Sequence, residues 1–223
     1  MNEIILIILL CLTLLTIFIL YKIYDKRGLY FSLIVLNILS FILTFKITNT
    51  LKLNINLGII SYISIFSIIY IFMIKYGEKE LKELIKISLY SSVFTAIMLL
   101  ITNYYIPSIT ETISINIAGS FVYNYKILIV YPLIMLLSEY LSTKLYSFEN
   151  SIQLNNTICL LLTYIIIGAL YTTILNVLSY INILNIKDSA YIGMSTYIIG
   201  LIVTIVNIIF VNLLIKSKKV NKW

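Results

Sequence analysis

Apolar residues run along this chain in stretches close to 20 long, separated by short polar breaks. That length crosses the roughly 30 Å hydrocarbon core of a bilayer as a helix. The pattern predicts seven spans: Ile4–Tyr21, Tyr30–Ile47, Gly58–Ile74, Ile87–Tyr104, Ile127–Tyr146, Ile158–Ile181 and Ile192–Ile215. The expected fold is all-α: a polytopic membrane helical bundle of about seven transmembrane helices. Residues 1–223 form one integral membrane domain in this reading.

The breaks carry their own signals. In "YIFMIKYGEKE" the third run meets Tyr76, an aromatic ring at headgroup level, and Gly77, which can end a helix in a left-handed turn. The following "EKELKELIK" alternates charges at helical spacing, Glu78 with Lys82 among them, and reads as a short interfacial helix. Pro132 is read within the first turns of the fifth span, where a missing donor costs least. The longest polar stretch, Ile106 to Lys126, contains Pro107 and reads either as cover or as a short re-entrant piece.

Composition agrees with the membrane reading, since only 11% of residues are charged and 61% are hydrophobic. The net charge of +7 does not point to nucleic acid, because the basic residues sit at the ends of the greasy runs. Twelve of the 16 lie in alternate breaks and the tail: Lys22, Lys26, Arg27, Lys75, Lys79, Lys82, Lys86, Lys144, Lys216, Lys218, Lys219 and Lys222. Lys46, Lys52, Lys126 and Lys187 remain for the other side. The positive-inside rule then sets the amino terminus outside and the carboxyl terminus in the cytoplasm, which requires an odd number of spans. The first run lacks a basic start and a following A-x-A-like site, so no cleaved signal peptide is expected. Cys11 and Cys159 sit in apolar runs without CxxC spacing and read as small packed hydrophobes. With no histidine anywhere, a zinc enzyme and the usual neutral-pH proton shuttle are disfavoured, and no metal or other cofactor is called for.

Polar side chains inside a bilayer turn toward protein or water. On the fifth span Glu139, Ser142, Thr143 and Tyr146 form one stripe. The sixth carries Tyr164, Gly168, Tyr171 and Thr172, with Ser179 near the line, and the seventh Gly193, Thr196, Gly200, Thr204 and Asn207. The third has Ser61, Ser64 and Ser67 on one side, and Tyr62, Phe66, Tyr70 and Met73 on the other. Small residues in such rows also serve close helix packing. Glu139 stands apart as the one acidic residue within any predicted span, where an unpaired carboxylate costs several kcal/mol. It reads either as a solute or proton site or as a structural hydrogen bond to a neighbouring helix.

The stretch "LGIISYISIFSIIYIFMIKYGEKELKE", Leu57 to Glu83, resembles the vitamin-uptake/queuosine-precursor transporter family of bacterial inner-membrane proteins. The family's helix runs roughly as LGN-x-x-Y-x-SIF-x-x-x-D-x-x-x-E-x-YGKKEA. Leu57, Gly58, Tyr62, Ser64, Ile65, Phe66, Tyr76, Gly77, Lys79 and Glu80 match it. Sparser likeness covers nearly the whole chain, including Lys46, "LLSEYLSTKLYSF", Asn155–Asn156 and "YIIGLIVTIVNIIF". The resemblance implies an extra amino-terminal helix and loop (1–28) before a six-helix transporter core (29–223). Tyr70 and Ile74 replace the family's acidic pair in helix three, Phe41 and Ile59 replace asparagines, and Ser142 stands for an Asp. Glu139 stands for a Gln, Gly200 for a Lys and Asn207 for an Asp, and a further Asp falls on Ile166 or Tyr171.

The leading expectation is therefore an uptake transporter for a small planar solute, queuosine-precursor-like or vitamin-like. Tyr62, Phe66, Tyr70, Tyr164 and Tyr171 would stack on the ring, while Glu139, Ser142 and Asn207 line its polar edge. The pocket is expected between the third, fifth, sixth and seventh spans. The expected partners are the lipid bilayer and the solute, with a second copy of the chain or an energising partner as further candidates. No GxxxxGK[ST] occurs, so energy would come from a gradient, a partner ATPase or consumption of the solute. The alternative is a degenerate, non-transporting membrane paralogue serving as partner or sensor. A membrane enzyme fits poorly, for want of a nucleophile–base pair or metal ligands.

Overall fold

The computed structural model describes residues 2–102, 125–152, 154–180 and 184–217. The expected segment at Ile106 to Lys126, with Pro107, lies outside the described residues apart from its last two positions. Helices α1 (Asn2–Tyr24) and α2 (Lys26–Thr44) are followed by strands β1 (Ile47–Thr50) and β2 (Leu53–Asn56). Then come α3 (Gly58–Thr102), α4 (Tyr125–Ser151), α5 (Asn156–Tyr180) and α6 (Ile186–Ser217). Among the described residues, six helices are long and apolar enough to cross a membrane.

The 45-residue α3 is two helices joined at Gly77 (φ 82°, ψ 174°). At 1.5 Å per residue its length is about 68 Å, enough for two crossings. Contacts with α2 show that it doubles back. The α3 start meets the far end of α2, where Ser40 donates to the Gly58 carbonyl at 3.0 Å. At the turn, Tyr76 reaches Asp25 (3.2 Å) and Lys26 pairs with Glu80 at 2.6 Å. The second half then climbs α2 again, so that mid-helix Asn37 meets Ser88. The two halves run antiparallel, so the six long helices of the described residues offer about seven passes. Gly77 thus has the expected positive φ, but its ψ is extended rather than left-handed helical, a region essentially reserved for glycine. "EKELKELIK" is no separate interfacial helix. It forms the first turns of the returning half, with Leu81 and Leu84 buried and Glu78 paired to Lys82 at 3.0 Å.

Residues 58–72 are buried on every side, so the first half of α3 is the axis of the bundle. Its serine row and its aromatic row both face protein. Helix α1 is peripheral, and Cys11 lies exposed on its outer face, a correction to the packed position expected. Cys159 is buried as expected, its thiol 3.7 Å from the Leu154 carbonyl. Pro132 lies at the eighth position of α4, beyond the first turn, where a missing donor would cost least.

The second span also ends earlier than expected. Helix α2 stops at Thr44, and Ile47 opens an antiparallel hairpin with Thr50 opposite Leu53. Its turn residues Leu51 and Lys52 both have positive φ, at 53° and 63°, as a two-residue hairpin turn requires. Asn2 donates to the Asn49 carbonyl at 2.6 Å on one side, and the Asn56 amide donates to Thr196 at 3.0 Å on the other. Buried Asn56 joins two helix ends: its amide donates to the last α2 carbonyl, Thr44, and its oxygen accepts from Gly58 N–H. One end of the bundle is thus the hairpin end; the opposite end gathers most of the described lysines and Arg27.

Candidate functional site

Glu139 sits midway along α4 and is fully buried. Its partner comes from the returning half of α3, where the Ser88 hydroxyl donates to one carboxylate oxygen. Ser88 is itself held by Asn37 of α2, whose amide donates to the Ser88 carbonyl (2.9 Å) and hydroxyl oxygen (2.8 Å). Asn37 also reaches Ser91 at 3.2 Å. The Tyr131 hydroxyl, on α4 again, donates to the Asn37 side-chain and main-chain oxygens at 3.3 Å each. Tyr131 and Glu139 are two helical turns apart, about 12 Å along the axis. The chain Tyr131–Asn37–Ser88–Glu139 therefore leaves α4, crosses two helices and returns to it, wholly buried.

The second Glu139 oxygen has no hydrogen-bond partner among the described residues. A carboxylate so placed needs a proton, a counter-charge or a further donor, since burial without one costs several kcal/mol. Aromatic rings also fill the bundle interior. Tyr62 and Tyr171 stack with centroids 3.6 Å apart, and Phe66 meets Tyr62 edge-on at 4.7 Å. Phe41 lies flat on Tyr131 at 4.3 Å, and the Tyr171 hydroxyl is 3.3 Å from that of Thr44. The Tyr62 hydroxyl is buried beside Ser138 of α4.

Of the residues expected at a site, Tyr62, Phe66 and Tyr171 come together. Tyr70 does not join them: it packs against Tyr146 at 4.9 Å, nearer the basic end. Asn207 accepts from Ser67 at 2.9 Å and donates to the Val203 carbonyl, so its amide is engaged on both sides. Ser142 turns to its own helix and donates to the Ser138 carbonyl. Tyr164 occupies the space left by Gly200, which has no room for a side chain, and donates to the Tyr197 carbonyl at 3.1 Å. The cavity beside Phe66, Ser67 and Asn207 measures about 10 Å³, space for roughly one water. The expected pocket between the third, fifth, sixth and seventh spans is therefore packed shut in this conformation.

No protein-family model matches the chain, and neither a curated protein nor a solved structure matches it. The assignment of a site thus rests on geometry. Sequence reasoning missed Asn37, Ser40, Ser88 and Tyr131, which surround Glu139 or its neighbours. A signal for them existed. Asn37, Ser40 and Thr44 recur at i, i+3 and i+7 on α2, and Ser88, Ser91, Ser92 and Thr95 do so on the returning half of α3.

Proposed function

We propose that this protein is a multi-pass transporter for uptake of a small planar solute, queuosine-precursor-like or vitamin-like. The observation that carries the proposal is Glu139, a buried carboxylate with one oxygen lacking a donor among the described residues, in an interior that also holds the stacked Tyr62–Tyr171 pair. A planar ring slipped between Tyr62 and Tyr171 would exchange one ring contact for two, and a donor on its edge would complete Glu139. In the closed conformation these two rings stack on each other, so binding requires them to part. The asymmetry of the basic residues supports a bacterial plasma-membrane setting with the hairpin end outside and the carboxyl terminus in the cytoplasm. The resemblance of residues 57–83 to the vitamin-uptake/queuosine-precursor transporter family supports the solute class.

The test is accumulation of labelled deazapurines and related vitamins in cells lacking their own uptake systems, with and without Glu139→Gln. Uptake that depends on Glu139 is the expected result. The tight packing of the interior favours one second reading, a non-transporting paralogue that serves as partner or sensor. Absence of accumulation for every candidate, from protein shown to be folded in the membrane, would select that reading.

A further inference from the structure

A second buried polar group stands apart from the Glu139 network. Asn176 lies on α5, four positions before the helix ends at Tyr180, and is 1% exposed. Its amide nitrogen donates to the Thr172 carbonyl at 2.6 Å, and its own carbonyl accepts from the Ser189 hydroxyl of α6 at 2.8 Å. Its side-chain oxygen has no partner among the described residues. That residue lines a groove of about 240 Å³ between α5 and α6. Gly193 keeps the floor open, because a side chain there would fill the space against Thr172 and Asn176.

The groove opens sideways. Its rim residues Val177 and Met194 are exposed, on helices apolar enough to cross a membrane, where acyl chains would lie against them. Ser189 is the fourth residue of α6 and Tyr197 the twelfth, so the groove runs from near the hairpin end to about 17 Å inside. None of its lining residues is charged. The groove is thus backed by a buried acceptor and lined by no cation, which suits a hydrogen-bond donor rather than a bare phosphate. An unmet acceptor beside hydrocarbon is costly.

We propose that the lateral groove between α5 and α6 binds one bilayer lipid, with a headgroup hydroxyl or ammonium donating to the Asn176 side-chain oxygen. Its acyl chain then runs inward along Thr173, Met194 and Tyr197. This site is separate from the proposed solute site and does not depend on it.

Native mass spectrometry of the full chain, delipidated in detergent, tests the assignment with three lipids of matched acyl chains. Phosphatidylethanolamine and phosphatidylglycerol carry headgroup donors; phosphatidylcholine does not. The donor lipids should be retained about tenfold better, the value of one hydrogen bond to an otherwise unmet acceptor. Asn176→Leu should erase that preference. Thr173→Trp, on the exposed rim, should lower retention of all three without touching the core, and it decides the matter should the Asn176 variant fail to fold. Equal retention of phosphatidylcholine by the unsubstituted protein overturns the proposal. So does a Thr173→Trp variant that keeps its lipid but loses a dimer, which would make the groove an interface between copies.

Discussion

Two buried amides, each bonded across helices, behave differently. Asn207 on α6 is closed: Ser67 donates to its oxygen, and its nitrogen serves the Val203 carbonyl one turn back. Asn37 on α2 is a junction: it links Ser88, Ser91 and Tyr131, and through Ser88 it leads to a carboxylate whose second oxygen has no donor among the described residues. Both sites are hidden from solvent, so burial does not distinguish them. Satisfaction does. A completed hydrogen-bond set locks helices together, whereas an incomplete one holds free energy available to a ligand.

The largest expected effect breaks the open side of this comparison. Glu139→Gln keeps shape and removes the charge, and should lower uptake roughly tenfold to a hundredfold, the range for a hydrogen bond to a charged group. Thermal stability in detergent should hold or rise, because a buried charge has been removed. Uptake unchanged in this variant would return Glu139 to a purely structural role.

Asn207→Leu tests the closed side. It strips Ser67 of its acceptor and should destabilise the bundle by about 1–3 kcal/mol. Uptake per folded molecule should stay near that of the parent, measured against a thermal melt of the same preparation. A large loss of uptake at unchanged stability would place Asn207 in the solute site after all.

Gly77→Ala acts on the turn that brings Ser88 back to Glu139. The backbone there is in a region essentially limited to glycine, so the cost should be of order 1–3 kcal/mol. Because the strain sits at the basic end, the melt should fall without a specific change in solute affinity. The smallest effect belongs to the ion pair Lys26–Glu80, about one-third exposed at each partner. Glu80→Gln should change stability by less than about 1 kcal/mol and uptake not at all.

Several features were legible without coordinates because they follow from local rules. The stripes on α5 and α6 are buried as their periodicity implies: Tyr164, Gly168, Tyr171, Thr172, Thr196, Gly200, Thr204 and Asn207 all face protein. The inward turn of Glu139 followed from the same rule. The hairpin at Ile47–Asn56 was not legible. Its turn, Leu51–Lys52, lacks the Asn-Gly signature of a two-residue loop, and the apolar run of α2 continues to Ile47 with no breaker.

The amino-acid sequence on its own determined that this chain is a bundle of apolar helices and which side of most helices carries polar groups. Those properties depend on residues a few positions apart along one helix, where geometry is known in advance. Tertiary structure decided which stripe meets which: Glu139 with Ser88 and Asn37, Tyr62 with Tyr171, Asn207 with Ser67. Those partners lie 51 to 140 positions apart or on helices whose rotation is set by packing, and no local spacing encodes that.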